Sequence, residues 1–189
     1  MPWKFLRRWQ ARRVHPSAAR PLQHRFRPTL EGLESRITPT VFTNPTPIQL
    51  IDGLADPPVN PSPANPYPSS IDVAGLSGSL ANITVTLHNV TDDFADDIDI
   101  LLVAPQGHNL ILISDAAVGA NDEVTIIFDD AGSVISPNDT GWANGVANTT
   151  VTRVPINYDP TDVFPPTAPQ PPYTSPNPTN PLLSAFGVE

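Results

Sequence analysis

Cysteine is absent from this 189-residue chain. Its absence excludes disulfide bonds, cysteine-ligated zinc sites and thiol catalysis. The sequence also lacks an uninterrupted apolar run of about eighteen residues, the length that predicts a transmembrane helix. We therefore predict no transmembrane segment.

Proline is scarce in the middle of the chain and dense on both sides of it. Nine of the 25 prolines lie in residues 39–68 and ten in residues 155–181, whereas only Pro105 lies in residues 69–136. Proline lacks a backbone N–H and has a fixed φ, so dense proline excludes central strands and helix interiors. The packable part of the chain therefore begins near residue 70.

Basic residues are almost absent after the first forty positions. Nine of the ten Lys and Arg residues lie in residues 4–36, and Arg153 is the only later one. Residues 1–40 carry a net charge of +7, from nine basic and two acidic residues, and residues 41–189 carry −16, from one basic and seventeen acidic residues. Nucleic-acid binding requires a basic surface on the folded part, so we expect no nucleic-acid partner. The acidic balance suits hard cations instead.

The basic N-terminal residues 1–40 contain a short motif but no apolar core like that of a standard signal peptide. Residues 27–36 read Arg-Pro-Thr-Leu-Glu-Gly-Leu-Glu-Ser-Arg and resemble the LExLExR leader that opens many surface and secreted proteins of one group of environmental bacteria. The resemblance implies export or sorting to a secreted or cell-surface location in a bacterium; a disordered basic tail is the alternative. The matching residues are Leu30, Glu31, Leu33, Glu34 and Arg36.

The proline-rich residues 41–69 are predicted to form an extended linker between this leader and the domain.

Short strand-like segments follow one another from residue 70 onward. Residues 82–88 alternate strictly, with Ile83, Val85 and Leu87 on one face and His88 facing outward, which predicts a half-buried antiparallel strand. Residues 98–103 are apolar on both faces after their second residue, which predicts a more central position in a sheet.

A hairpin is the clearest supersecondary prediction. The turn sequence Ala104-Pro105-Gln106-Gly107 joins residues 98–103 to a second apolar strand at residues 110–113. No amphipathic helix is evident among these segments, so we predict an all-β sandwich or jelly roll. Further strands are predicted at residues 71–73, 124–128 and 151–156.

The hairpin also carries a resemblance to a known family. Residues 96–107, Asp-Asp-Ile-Asp-Ile-Leu-Leu-Val-Ala-Pro-Gln-Gly, resemble the core hairpin of the P domain (Homo B domain), which follows the catalytic domain of kexin-like proprotein convertases. The other segments that resemble its bacterial versions are residues 78–85, 112–115, 125–131 and, more loosely, 181–186. The resemblance implies a galactose-binding-like jelly roll over residues 70–189, with a proline-rich part at 155–181.

In that family the P domain stabilises a neighbouring catalytic domain and has no active site. The resemblance therefore implies a noncatalytic, proteolysis-associated module of an exported or cell-surface protein, whose partner is a serine protease domain or a cell-envelope component. The family pattern continues past the point where this chain stops at Glu189, so we expect an incomplete sandwich. A fragment without independent function is the alternative.

No residues that match a serine protease site are found. The four histidines are His15, His24, His88 and His108, and no serine lies in a Gly-x-Ser-x-Gly elbow. We expect no enzymatic activity and assign no catalytic residue.

An acidic loop is the strongest candidate site. Five carboxylates in eight residues repel one another unless they are solvated, protonated or bridged by a cation. Calcium accepts oxygen ligands from irregular loops, and structural calcium is frequent in the family that the chain resembles. The acidic loop is therefore interpreted either as a calcium-binding loop or as a solvated loop without a metal. If it binds calcium, Asp115, Asp129 and Asp130 are candidates for further ligands. The five loop residues are Asp92, Asp93, Asp96, Asp97 and Asp99.

Trp142 supports a second hypothesis, a carbohydrate- or ligand-binding jelly roll. It lies in the loop-like sequence Thr-Gly-Trp-Ala-Asn-Gly, and an exposed indole stacks on sugar rings. A packing residue is the alternative for this position.

Overall fold

The computed structural model describes residues 39–51, 61–176 and 179–187. The chain divides into two units, residues 1–40 and 41–189. The leader motif lies outside the described residues. The architecture below is that of the second unit.

Strands dominate this unit, as the sequence predicts. Among the residues that the structure describes there is one short α-helix, and a 3₁₀ turn follows the first strand. The elements are β1 (Val85–Asp92), the 3₁₀ turn (Ala95–Asp97), β2 (Ile100–Val103), β3 (Asn109–Ser114), β4 (Asn121–Ser133), β5 (Thr150–Arg153), β6 (Ile156–Asn157) and α1 (Pro181–Phe186).

The strands form two three-stranded mixed sheets. One sheet has the order β1-β4-β5, and the other has the order β2-β3-β6. In each sheet the central strand is antiparallel to the earlier neighbour and parallel to the later one. The all-β prediction is confirmed at this level.

The predicted hairpin is present as β2 and β3. The backbone N–H of Gly107 donates to the carbonyl of Ala104 at 2.9 Å, and Gly107 has a φ of 89°. A side chain at that φ is strained, so glycine ends the turn that Pro105 begins.

The alternation in β1 is also confirmed. Val85 and Leu87 face the core and lie opposite Phe128 and Ile126 of β4, whereas His88 is exposed. The strict alternation follows from burial of one sheet face only.

Two strand predictions are wrong. The segment predicted to be more central, β2, is an edge strand, because β3 pairs on both sides and β2 on one. The side chains of β2 are accordingly half-buried or exposed, while Leu110 to Ile113 in β3 are at most 2% exposed. Residues 71–73 form no strand, and Ile71 and Val73 are 50% and 60% exposed.

The predicted strand at residues 151–156 is split into β5 and β6, which belong to different sheets. Pro155 lies between them and has no N–H to continue a ladder. The chain therefore leaves β4 at Arg153 and joins β3 at Ile156 within three residues.

One apolar core joins both sheets. It contains Ile126 and Phe128 from the first sheet and Leu110 and Leu112 from the second, together with the fully buried Trp142. These side chains exclude water from the space between the sheets, which supplies most of the driving force for folding.

The helix α1 docks into this core through Leu182 and Phe186. The two carboxylate oxygens of Asp130, at the far end of β4, accept the backbone N–H groups of Leu182 and Leu183 at 2.8 and 3.0 Å. They satisfy two of the N–H groups that have no partner within a helix.

Trp142 is fastened by polar contacts as well as by packing. Its backbone N–H donates to Asn121 Oδ1 at 2.8 Å, and its backbone carbonyl accepts hydrogen bonds from the buried Arg153 guanidinium at 3.0 and 2.7 Å. Arg153 Nη1 also donates to Ser133 Oγ at 2.7 Å. The loop that carries Trp142 is therefore tied to β4 and β5.

The described parts of the predicted linker are not isolated from the domain. The Tyr67 hydroxyl of the linker donates to the Pro165 carbonyl at 3.2 Å, while Gln49 and Asn65 form an antiparallel bridge within the linker itself. Both proline-rich segments thus contribute to the same unit.

Candidate metal centre

Three carboxylates meet at the open end of the β2–β3 hairpin, opposite its turn. Asp99 immediately precedes β2, and Asp115 immediately follows β3. Because the two strands are antiparallel, with Ile100 opposite Ile113, the start of β2 lies beside the end of β3. Local connectivity alone therefore brings Asp99 and Asp115 together.

The third carboxylate, Asp162, reaches this end through β6. That strand is parallel to β3, and the Tyr158 N–H after it donates to the Ser114 carbonyl at 3.2 Å. Asp159 then turns the chain by accepting the N–H and the hydroxyl of Thr161 at 2.8 and 2.7 Å. The next residue is Asp162.

The three side chains form one compact cluster. One carboxylate oxygen from each of Asp99, Asp115 and Asp162 lies within 4.8 Å of the other two. It is the single group of three or more potential metal-ligating side chains of this kind among the described residues. Asp99 and Asp115 are exposed and Asp162 is half-buried, so the cluster opens to solvent.

The hydroxyl of Ser114 lies at the base of the cluster and is fully buried. Its Oγ is 2.8 Å from Asp115 Oδ2 and is also within hydrogen-bond distance of Asp162 Oδ2. A hydroxyl has one proton to donate, and an ionised carboxylate has none. Where the Ser114 proton serves one carboxylate, a protonated carboxyl or a bound cation would relieve the repulsion between oxygens at the other contact.

The electrostatics of the cluster favour the same two states. Desolvation, followed by repulsion from Asp162 and Asp115, raises the pKa of Asp99 to about 7, against hydrogen bonds from the Ser114 hydroxyl and the Asp115 backbone. Solvent access to Asp99 screens part of this effect. Desolvation is also the first cause that raises the pKa of Asp162, with Asp115 and Asp159 adding repulsion.

Such an arrangement can hold a hard divalent cation. Calcium takes about six to eight oxygen ligands, so three carboxylates would be completed by water or further oxygens. A bound cation would replace like-charge repulsion by attraction and would keep all three carboxyls ionised.

Only one of the five residues predicted for a calcium loop lies in the cluster, namely Asp99. Asp92 ends β1, and its Oδ1 accepts the backbone N–H two residues later at 2.9 Å. Asp93 is exposed, and Asp96 and Asp97 lie in the 3₁₀ turn. Asp92, Asp93, Asp96 and Asp97 therefore precede β2 by the length of the turn or more. None of the four belongs to a group of three metal-ligating side chains among the described residues.

Of the three further ligands predicted from the sequence, one lies in the cluster and two do not. Asp115 belongs to the cluster, whereas Asp130 caps α1 with both oxygens. Asp129 Oδ1 accepts the Ala131 N–H at 2.8 Å. Asp162 was missed because it lies in a proline-rich stretch, where only its position shortly after the predicted strand at residues 151–156 pointed to it.

Trp142 is 0% exposed, so its indole has no free face for a sugar ring. Its burial assigns it to packing and removes it from the candidate ligand-binding residues. The sorting-motif residues Leu30, Glu31, Leu33, Glu34 and Arg36 lie outside the described residues.

Comparison with protein-family models identifies no matching family, and neither the curated proteins nor the solved structures provide a match. None of the helices formed by the described residues is long and apolar enough to span a bilayer.

Proposed function

We propose that the chain from about residue 70 is a noncatalytic β-sandwich module of the P-domain (Homo B) type, part of an exported or cell-surface bacterial protein and associated with proteolysis. The resemblance of the β2–β3 hairpin and of the flanking β1 and β4 segments supports this proposal. Two sheets around one core agree with a two-layer all-β module, although the parallel pairings of β5 and β6 depart from the antiparallel order of a jelly roll. The proposed partner is a serine protease domain or a cell-envelope component.

We further propose that the module holds a structural calcium ion at Asp99, Asp115 and Asp162. The observation that carries this proposal is the placement of three carboxylates around one buried serine hydroxyl, which has a single proton to share. Calcium would satisfy the oxygens that the hydroxyl leaves without a donor.

Calcium at this position would have a mechanical role. Asp99 and Asp115 flank the two strands at the open end of the hairpin, whereas Asp162 belongs to the proline-rich segment after β6. A cation shared by the three would fasten that segment to the second sheet, and binding free energy would become folding free energy. A module that works as a rigid neighbour of another domain requires such fastening.

Thermal unfolding of the full chain, with calcium and with excess chelator, tests the metal proposal. We expect a cooperative transition whose midpoint rises with calcium, because a ligand that binds only the folded state stabilises it by mass action. Asp162→Asn should remove the rise. Asp93→Asn, which changes an exposed carboxylate outside the cluster, is the matched control and should keep it.

The two parts of the proposal fail differently. A cooperative transition that ignores calcium would retain the sandwich and reject the metal. The absence of any cooperative transition in both buffers would instead support the fragment hypothesis.

A further inference from the structure

A small groove opens on the first sheet, between the start of β4 and the loop that carries Trp142. It has a volume of about 210 Å³. Sites for drug-sized ligands are roughly 300–1,000 Å³, so this groove is of the size for a single side chain rather than a cofactor.

The lining is mostly apolar, with one hydroxyl residue, Thr140, and one charged residue. Val124 and Ala143 form a buried wall, and Val146 and Ala147 form an exposed wall. Asp122 supplies the carboxylate, and it is exposed. An apolar channel with a carboxylate at its edge matches a side chain with an aliphatic stem and a cationic end.

The carboxylate of Asp122 is not committed elsewhere. Its backbone carbonyl accepts the Asn148 N–H at 3.0 Å, but its side chain forms no hydrogen bond within the described part of the chain. By contrast, Asp92, Asp129, Asp130 and Asp139 each accept a backbone N–H. Asp122 therefore retains its full capacity to accept hydrogen bonds from a ligand.

The groove is held open by fixed structure. The turn that forms one wall is closed by the Val146 N–H donating to the Ala143 carbonyl at 3.2 Å. Behind it, Trp142 is fastened to Asn121 and Arg153 as described above. The backbone at Gly141 lies close to the backbone at Ala120, and only glycine permits this, because a Cβ at position 141 would lie 2.3 Å from the Ala120 carbonyl oxygen. A preformed groove loses little conformational entropy when it is occupied.

Charge determines which occupant is favoured. Arg153 is the single Lys or Arg in residues 41–189, and it is buried at 8% exposed. The exposed charges of this unit are therefore overwhelmingly negative. A second copy of the unit would bring like charge against like charge, whereas a basic segment would be attracted.

We propose that this groove binds a basic side chain, lysine or arginine, from an extended peptide segment of a partner protein. The aliphatic stem lies against Val124, Ala143 and Val146, and the cationic end pairs with the Asp122 carboxylate. This site is separate from the carboxylate cluster and requires no calcium.

Methyl NMR of the full chain, titrated with the capped tripeptide acetyl-Gly-Lys-Gly-amide, tests the proposal. We expect saturable shifts of the Val124, Ala143, Val146 and Ala147 methyl signals. The norleucine peptide, which has a four-carbon stem without the charge, and Asp122→Asn should each weaken binding about two- to fivefold, the range of an exposed ion pair. The arginine peptide should bind in the same place.

Two variants distinguish binding in the groove from nonspecific attraction of a cationic peptide to the negative charge of the unit. Asp93→Asn removes one unit of charge outside the groove and should leave the affinity unchanged. Ala147→Leu fills the exposed end of the groove and should abolish the shifts while the rest of the spectrum is retained. Equal weakening by Asp93→Asn and Asp122→Asn, or equal binding of a glutamate peptide, would overturn the proposal.

Discussion

Arg153 donates two hydrogen bonds to the carbonyl oxygen of Trp142, from Nε at 3.0 Å and from Nη2 at 2.7 Å. The only Lys or Arg of the second unit thus forms its hydrogen bonds in the interior rather than at the surface. Its position at the end of β5 lets one planar side chain connect the Trp142 loop with Ser133 of β4.

Replacement of Arg153 by Met tests this connection. The change removes three hydrogen bonds from a charged donor and leaves the buried Trp142 carbonyl without them, so we expect the free energy of unfolding to fall by about 2–4 kcal/mol. Urea denaturation followed by tryptophan fluorescence measures it. A loss below about 0.5 kcal/mol, the range of an ordinary surface substitution, would contradict the role given to Arg153.

Gly132 marks a close approach of β4 and β5. A Cβ at this position would lie 2.3 Å from the Arg153 carbonyl carbon and 2.6 Å from the Val154 nitrogen, both backbone atoms that cannot rotate away. We expect Gly132→Ala to cost at least about 1–3 kcal/mol, as overpacking does, in urea denaturation.

Gly107→Ala is the comparison for Gly132→Ala. Nothing lies within 4 Å of a Cβ there, and only the left-handed φ of 89° is unfavourable. It should cost about 1–2 kcal/mol. A clearly larger loss at Gly107 than at Gly132 would contradict the close approach.

The pKa of Asp99 predicts an unusual pH dependence of stability. The value is raised from 3.8 to about 7 in the folded state, so the folded form binds a proton more tightly than the unfolded form. The resulting stabilisation is complete below pH 3.8 and is lost as the pH rises through about 7.

The contribution of Asp99 is measured by comparing the wild type with Asp99→Asn in chelator. The midpoint difference between the two proteins should change with pH between about 4 and 7, with the wild type losing stability relative to the variant as the pH rises. A constant difference across this range would show that the carboxyl titrates normally.

Asp130 is expected to stabilise α1 without taking part in calcium binding. Asp130→Ala removes both acceptors of the Leu182 and Leu183 N–H groups, which should cost about 1–2 kcal/mol and speed hydrogen exchange at these two amides. The rise in midpoint with calcium should remain as in the wild type. Loss of that rise would place Asp130 in the metal site after all.

The parts of the fold that local sequence determines were predictable. Strict alternation predicted β1, and the turn residues Pro105 and Gly107 predicted the β2–β3 hairpin. Which strand is central was not predictable, because β3 acquires its second neighbour from a segment more than forty residues later. An apolar sequence on both faces is found in central strands and also in edge strands whose two faces are partly buried, so it does not distinguish the two.

The same limit applies to the candidate metal centre. Asp99 and Asp115 flank the predicted hairpin, so their proximity follows from antiparallel pairing. Asp162 reaches them only because β6 runs parallel to β3, and parallel pairing across a long connection leaves no local pattern. The four other acids of the predicted loop are close in sequence, but Asp92 ends β1, Asp93 follows it, and Asp96 and Asp97 lie in a 3₁₀ turn that composition does not reveal.

The short stretch from Thr150 to Asn157 has a consequence for the order of events during synthesis. It supplies the last strand of both sheets, on either side of Pro155. Until this stretch has left the ribosome, β4 and β3 each lack their later partner and keep an unpaired strand edge. Eight residues of translation supply both missing strands, so we expect the unpaired edges of the two central strands to be covered almost together.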